Sequence, residues 1–171
     1  MLINVPDEMG AALLELAKEY ATQDNCGQAA PMYFSVEVKE EVGKPEGCGW
    51  FQKWCDSEGD VADTEEKLFE YIKEYNEDDL PTDWDELDSD DKLEWVSENM
   101  PDIRLVDYDL EPKYYECFFT KKGCEAHIAM NGHNYSNTPR PYADTFWRNP
   151  DMKLIADFLT ALHNNNTKET T

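Results

Sequence analysis

Residues 31–42 read PMYFSVEVKEEV. Met32, Phe34, Val36 and Val38 alternate with Tyr33, Ser35 and Glu37, and a period of two yields one apolar face only in an extended strand. A chain carrying this stretch has to build a sheet with at least one covered face. Elsewhere the spacing is helical. Pro6-Asp7-Glu8 reads as a helix first turn, with acids against the positive dipole end and Met9, Leu13, Leu14, Ala17 and Tyr20 following on one face. Asp63 and Glu66 have capping-box spacing ahead of Leu68, Tyr71, Ile72 and Tyr75. Trp84, Leu87, Leu93, Val96 and Met100 predict a short turn and a short helix facing inward, stopped by Pro101. Thr120 caps a helix over about 121–131 that Gly132 terminates, and Asn149-Pro150-Asp151 opens a last helix carrying Leu154, Ile155, Phe158, Leu159 and Leu162.

Two antiparallel hairpins are expected, 31–55 with a turn at GKPEG, and IRLVDYDL with KYYECFFT turning near Glu111-Pro112. PYADTFW is a further strand. Helices and strands mix without βαβ alternation, so the class is α+β, with about five helices. One domain is expected over 1–163, with an acidic middle at 56–116 and a flexible polar tail at 164–171. Hydrophobic residues make up 40% of the 171, a folded rather than a disordered composition.

Charge is the second constraint. The net charge is −23, and residues 56–116 alone hold 24 acids against five bases, whereas 117–171 hold five against six. Such a body repels nucleic acid and anionic membranes and attracts basic protein surfaces. MLINVPDEMG has no basic n-region and no apolar run reaches membrane-spanning length, so neither a signal peptide nor a membrane partner is expected. Five cysteines, an odd number, read as free thiols of a reducing cytoplasm.

The stretch FFTKKGCEAHIAMNGHNY gathers Cys and His, raising zinc on Cys117, Cys124, His127 and His133. The spacing C-x6-C-x2-H-x5-H lacks the tight Cys knuckle and Cys117 falls inside a predicted strand, so Cys117 and Cys124 read as small core residues, Ile128 continuing the Cys124 face of the helix. No metal and no cofactor are expected. Cys124 with His127 or His133 is the remaining nucleophile–base pair, but one helical turn orients such a pair poorly. No phosphate loop or hydrolase elbow accompanies it, so the chain is not read as an enzyme. Lys121, Lys122, Arg140 and Arg148 beside Tyr135, Tyr142, Phe146 and Trp147 are too few cations to draw nucleic acid to so acidic a body. Trp147 is expected in the core, with Arg148 capping or pairing nearby.

ATQDNCGQAAPMYF at 21–34 resembles the TQDNR-x-TA-x-P opening of a family of small acidic phage and prophage accessory proteins. Residues 118–159 resemble that family's ending, in which an HI-x-x-N-x-H-x-Y segment leads to WRNPE. The pattern keeps the histidines and not the cysteines, and this chain has Cys26 in place of a common Arg and Asp151 in place of a common Glu. The resemblance implies a context, accessory genes many of which act against host defences such as CRISPR effectors or restriction enzymes.

With the charge pattern, it leads to a non-enzymatic anti-defence protein in the host cytoplasm. Such a protein inhibits a nucleic-acid-binding host partner, such as a CRISPR effector or restriction nuclease, by mimicking nucleic acid. The expected partner-binding residues are Glu65, Glu66, Glu70, Glu74, Glu77, Asp78, Asp79, Asp83, Asp85 and Glu86. The alternative is a structural or regulatory phage protein that recognises a partner or small ligand through the 120–148 surface, with His127, His133, Tyr135 and Arg148.

Overall fold

The computed structural model describes residues 5–75, 80–81 and 83–169. It is α+β. Five α-helices accompany a five-stranded antiparallel sheet: α1 (Asp7–Thr22), α2 (Glu65–Tyr75), α3 (Ser89–Asn99), α4 (Lys121–Asn131) and α5 (Pro150–Glu169), with β1 (Met32–Lys44), β2 (Phe51–Cys55), β3 (Asp60–Ala62), β4 (Arg104–Phe118) and β5 (Arg140–Thr145). The strand order is β3-β2-β4-β1-β5.

Pairing differs in detail from the sequence expectation. β1 and β2 follow each other in the chain but are separated in the sheet by β4, and the tight hairpin joins β2 to β3. β4 does not turn at Glu111-Pro112 but runs on for 15 residues. Of β4, only Arg104–Tyr108 pairs with β2, so Pro112 lies beyond that ladder and withholds no N–H from it.

The chain divides into two compact units, 5–40 with 112–169 and 41–111 among the described residues. In the first, β1 and β5 run antiparallel from Met32↔Thr145 to Glu37↔Arg140. Met32, Phe34, Val36 and Val38 pack with Cys124 of α4, as the alternation requires, and Tyr20, Phe118, Ile128 and Tyr135 border them. The other face of β1 is covered too: Ser35 and Glu37 are buried, and Glu37 is held by its cross-strand neighbour Arg140, whose Nε lies 2.9 Å from Oε1. α1 packs on α5 with Ala17, Ala156 and Leu159 buried. α5 continues to Glu169, taking in most of the polar run in which a frayed tail is expected.

The second unit is built around Trp54, Ala62, Leu68, Ile72, Trp84, Val96 and Ile103. Thr64, not Asp63, caps α2: its Oγ1 accepts from Lys67 N at 3.3 Å, and Asp63 pairs with the Lys67 ammonium instead. Asp88 caps α3 by accepting from Asp90 N and Asp91 N. Trp84 and Val96 are buried as their spacing predicts, whereas Leu93 stands 40% exposed because α3 is covered along only a narrow stripe.

Candidate functional site

The acids singled out by charge all belong to the second unit, where 25 acids meet six bases across 41–111. Glu65, Glu66, Glu70 and Glu74 project from α2, Asp85 and Glu86 lie in the 3-10 turn Trp84–Glu86, and Asp83 precedes it; all seven are exposed. Glu77, Asp78 and Asp79 lie outside the described residues. The core side of α2 is fixed by Leu68 and Ile72, which leaves Glu66, Glu70 and Glu74 as an i,i+4 row on the outside. Like charges at this spacing destabilise a helix, so the row works against α2 itself.

Little of this charge is compensated. Glu65 is the exception, accepting from the Lys92 ammonium at 2.9 Å and from Ser89 Oγ at 3.1 Å. The Lys92 bond is the main reason its carboxyl is held below the usual range. Lys53 binds Glu41 and Asp60, and Lys44 binds Glu111. Glu66, Glu70, Glu74, Asp83, Asp85 and Glu86 have no ion-pair partner among the described residues.

The 120–148 residues separate. Thr120 caps α4 as expected, its Oγ1 accepting from Gly123 N at 3.1 Å. Gly132 continues right-handed into a 3-10 turn, Gly132–Asn134, rather than reversing the chain. His133 and Arg148 are exposed, the latter with its guanidinium 5.6 Å from the Trp147 ring. Trp147 is 65% exposed, not in the core, because it lies in the loop before α5 with Arg148 rather than the sheet beneath it. Cys117 on β4 is likewise exposed, not a core residue, while Cys124 on α4 is fully buried. Among the described residues no three or more His, Cys, Asp or Glu side chains gather as a ligand set.

His127 and Tyr135 do come together, in a cavity of about 460 Å³. Tyr135 Oη lies 3.0 Å from His127 Nε2 and donates to Glu116 Oε2 at 2.9 Å. Asn131, one turn along α4, donates to His127 O at 3.1 Å and places Nδ2 3.4 Å from Nδ1. That amide orientation leaves Nδ1 as acceptor and Nε2–H as donor to Tyr135, so the chain runs Asn131 to His127 to Tyr135 to Glu116. Phe118 packs against the imidazole at 5.1 Å between ring centres. On the opposite wall Tyr115 donates to Glu40, and its ring centre is 5.5 Å from that of Tyr135. Burial first, and the Glu116 carboxylate second, push the Tyr135 hydroxyl up to about 12.

Tyr115 and Glu116 are consecutive in β4, and an unbroken strand sends consecutive side chains to opposite faces. Glu116 has φ of 28°, in the left-handed region, and this break in the pleat accompanies the arrival of both side chains at one cavity. Sequence reasoning named His127 and Tyr135 but missed Glu40, Tyr115, Glu116 and Asn131. The His127–Asn131 spacing of one helical turn was a readable signal; Glu40 and Glu116, 76 positions apart, offered none.

No family model matches the chain, and neither does any curated protein or solved structure. Among the described residues no helix is long and apolar enough to cross a membrane.

Proposed function

We propose that the chain is a phage-encoded anti-defence protein that occupies the nucleic-acid groove of a host CRISPR effector or restriction nuclease. The observation that carries this reading is the exposed, uncompensated row Glu66–Glu70–Glu74, continued by Asp83, Asp85 and Glu86. A duplex offers one negative charge per about 1.7 Å of axis, and a groove built for it is lined with Lys and Arg. Carboxylates about 6 Å apart along a helix row compete for those cations, and complementary charge speeds association. The row costs α2 stability, which solubility alone does not require in a chain of net charge −23.

The test is displacement of labelled duplex from a panel of CRISPR effectors and restriction nucleases, at about 50 and 300 mM salt. The native chain is expected to displace DNA from at least one effector and to lose that ability at the higher salt. Reversal of Glu66, Glu70, Glu74 and Glu86 to Lys is expected to weaken displacement by about 100-fold or more with the circular dichroism spectrum unchanged. A reversed variant that displaces DNA as well as the native chain refutes the proposal, as does a native chain that displaces none. A second reading, recognition of a partner or small ligand through the 120–148 surface, is favoured by the cavity at His127 and Tyr135.

A further inference from the structure

We infer that the cavity beside Tyr135 is a binding site for an organic cation, an alkylammonium or guanidinium group, with Glu40 and Glu116 as its counter-charges. This gives the second reading its ligand class and is independent of the acidic row on α2. Both carboxylates line one cavity, and neither meets a Lys or Arg among the described residues. Each already accepts one phenol, Tyr115 on Glu40 and Tyr135 on Glu116. A phenol bond orients a carboxylate but leaves its charge in place, and each carboxylate keeps vacant lone pairs. The phenols remain protonated at neutral pH, since both hydroxyls are raised, Tyr115 chiefly by its bond to Glu40 and Tyr135 chiefly by burial. The cavity therefore holds two negative charges and two neutral ring faces.

That combination selects cations. A guanidinium or ammonium takes the free carboxylate lone pairs and meets ring faces whose quadrupole attracts positive charge. An anion meets two carboxylates, with neutral donors alone to offset them, the Asn131 and Asn134 amides and the Ser136 hydroxyl. Both ring nitrogens of His127 are engaged, Nε2 with Tyr135 and Nδ1 with Asn131. A volume of about 460 Å³ falls in the range of small-molecule sites and admits a guanidinium with a short methylene stem. The positive φ at Glu116 accompanies the arrival of this second carboxylate at the cavity that Tyr115 also lines.

The same chemistry reaches the cavity either on a free amine or on an Arg or Lys of a partner. Agmatine and a blocked Gly-Arg-Gly peptide represent the two sources, with a blocked Gly-citrulline-Gly peptide as the uncharged analogue and glutarate as the anion. Each is titrated into 15N-labelled full-length chain and followed by amide shifts. Saturable shifts are expected at the Asn131 and Asn134 side chains and at residues 115–116 with agmatine or Gly-Arg-Gly, and not with citrulline. Tighter binding of agmatine assigns a free amine, and tighter binding of the peptide assigns a partner side chain.

The Glu40→Gln/Glu116→Gln variant is expected to weaken binding about 10-fold or more, while Glu66→Gln/Glu70→Gln/Glu74→Gln leaves it unchanged. Should the double variant fail to fold, Glu40→Gln alone, outside the His127–Tyr135 chain, carries the test with an expected loss of about 3-fold or more. Shifts that spread over 65–74 and persist in the Glu40 and Glu116 variants show only an ion atmosphere and overturn the inference. So does saturable binding of glutarate in place of the cations, which leaves the second reading standing with another ligand class. Absence of saturation by either cation up to about 50 mM also overturns it.

Discussion

Gly49 is the position at which one added carbon is expected to do most harm. A Cβ built there falls 2.7 Å from Asp107 Cβ and from Tyr108 N, and 2.9 Å from Tyr108 O. Carbon contacts settle near 3.5 Å or beyond, so β4 must retreat by roughly 0.8 Å. Two of the three obstructing atoms are backbone atoms of a paired strand, which cannot rotate away. The retreat would stretch the Trp50 N to Tyr108 O bond, now 2.9 Å, past bonding distance. It would also disturb buried Asp107, which accepts from Gly47 N and from Gln52 Nε2. Overpacking costs about 1–3 kcal/mol and a lost backbone bond with a stranded partner about 1–2 more, so Gly49→Ala is expected to cost about 2–5 kcal/mol. Gly43 is the internal control. Nothing lies within 4 Å of its Cβ position, and alanine there is expected to be neutral or to stabilise by up to about 1 kcal/mol. Urea unfolding followed by tryptophan fluorescence measures both. A Gly49→Ala cost below about 0.5 kcal/mol, or one equal to that of Gly43→Ala, refutes the close approach.

The Glu65–Lys92 pair fixes the sign of a pH effect. Glu65 is held below its ordinary pKa, so its contribution is present above the unfolded value of about 4.3 and fades as pH falls through the lower folded value. Glu65→Gln is therefore expected to cost about 0.2–1 kcal/mol at pH 7, the range of exposed pairs, and nothing at pH 2; a gap that widens in acid contradicts this. Alkylation separates the cysteines. Cys124 is fully buried and its thiol is pushed up to about 11, chiefly by burial, leaving about one thiolate in a thousand at pH 8. Iodoacetamide with mass spectrometry is expected to label Cys26, Cys48 and Cys117 in the native chain and to spare Cys124, and equal rates would show that α4 does not seal it.

What could be read in advance follows the reach of each signal. Local periodicity located β1, α1, α3, α4 and the start of α5, because an apolar face is written in consecutive residues. It also gave the Thr120 cap. Pairing was not legible in this way. Glu111-Pro112 carries good turn chemistry, yet β4 continues through it beside β1, with Pro112 past the end of the β2 ladder at Tyr108. Trp147 reads as core by composition alone, yet the path of the loop before α5 decides its exposure. At the candidate sites, exposure of the acidic row followed from counting charges. The cavity did not, since it depends on a positive φ at Glu116 and on the meeting of β1, β4 and the segment after α4.

The position of β1 between β4 and β5 also sets an order in time. At about 5–20 residues per second, β4 leaves a ribosome several seconds after β1, and β5 some 5–20 s after it. Until then Met32, Phe34, Val36 and Val38 form an apolar row whose sheet partners have not yet been synthesised, a condition that favours pairing with neighbouring chains. The next long segment to emerge is the most acidic part of the protein, and like charges on adjacent nascent chains keep them apart while the row waits. The carboxylates that oppose one another along α2 in the folded chain thus act earlier as a repulsive spacer during synthesis.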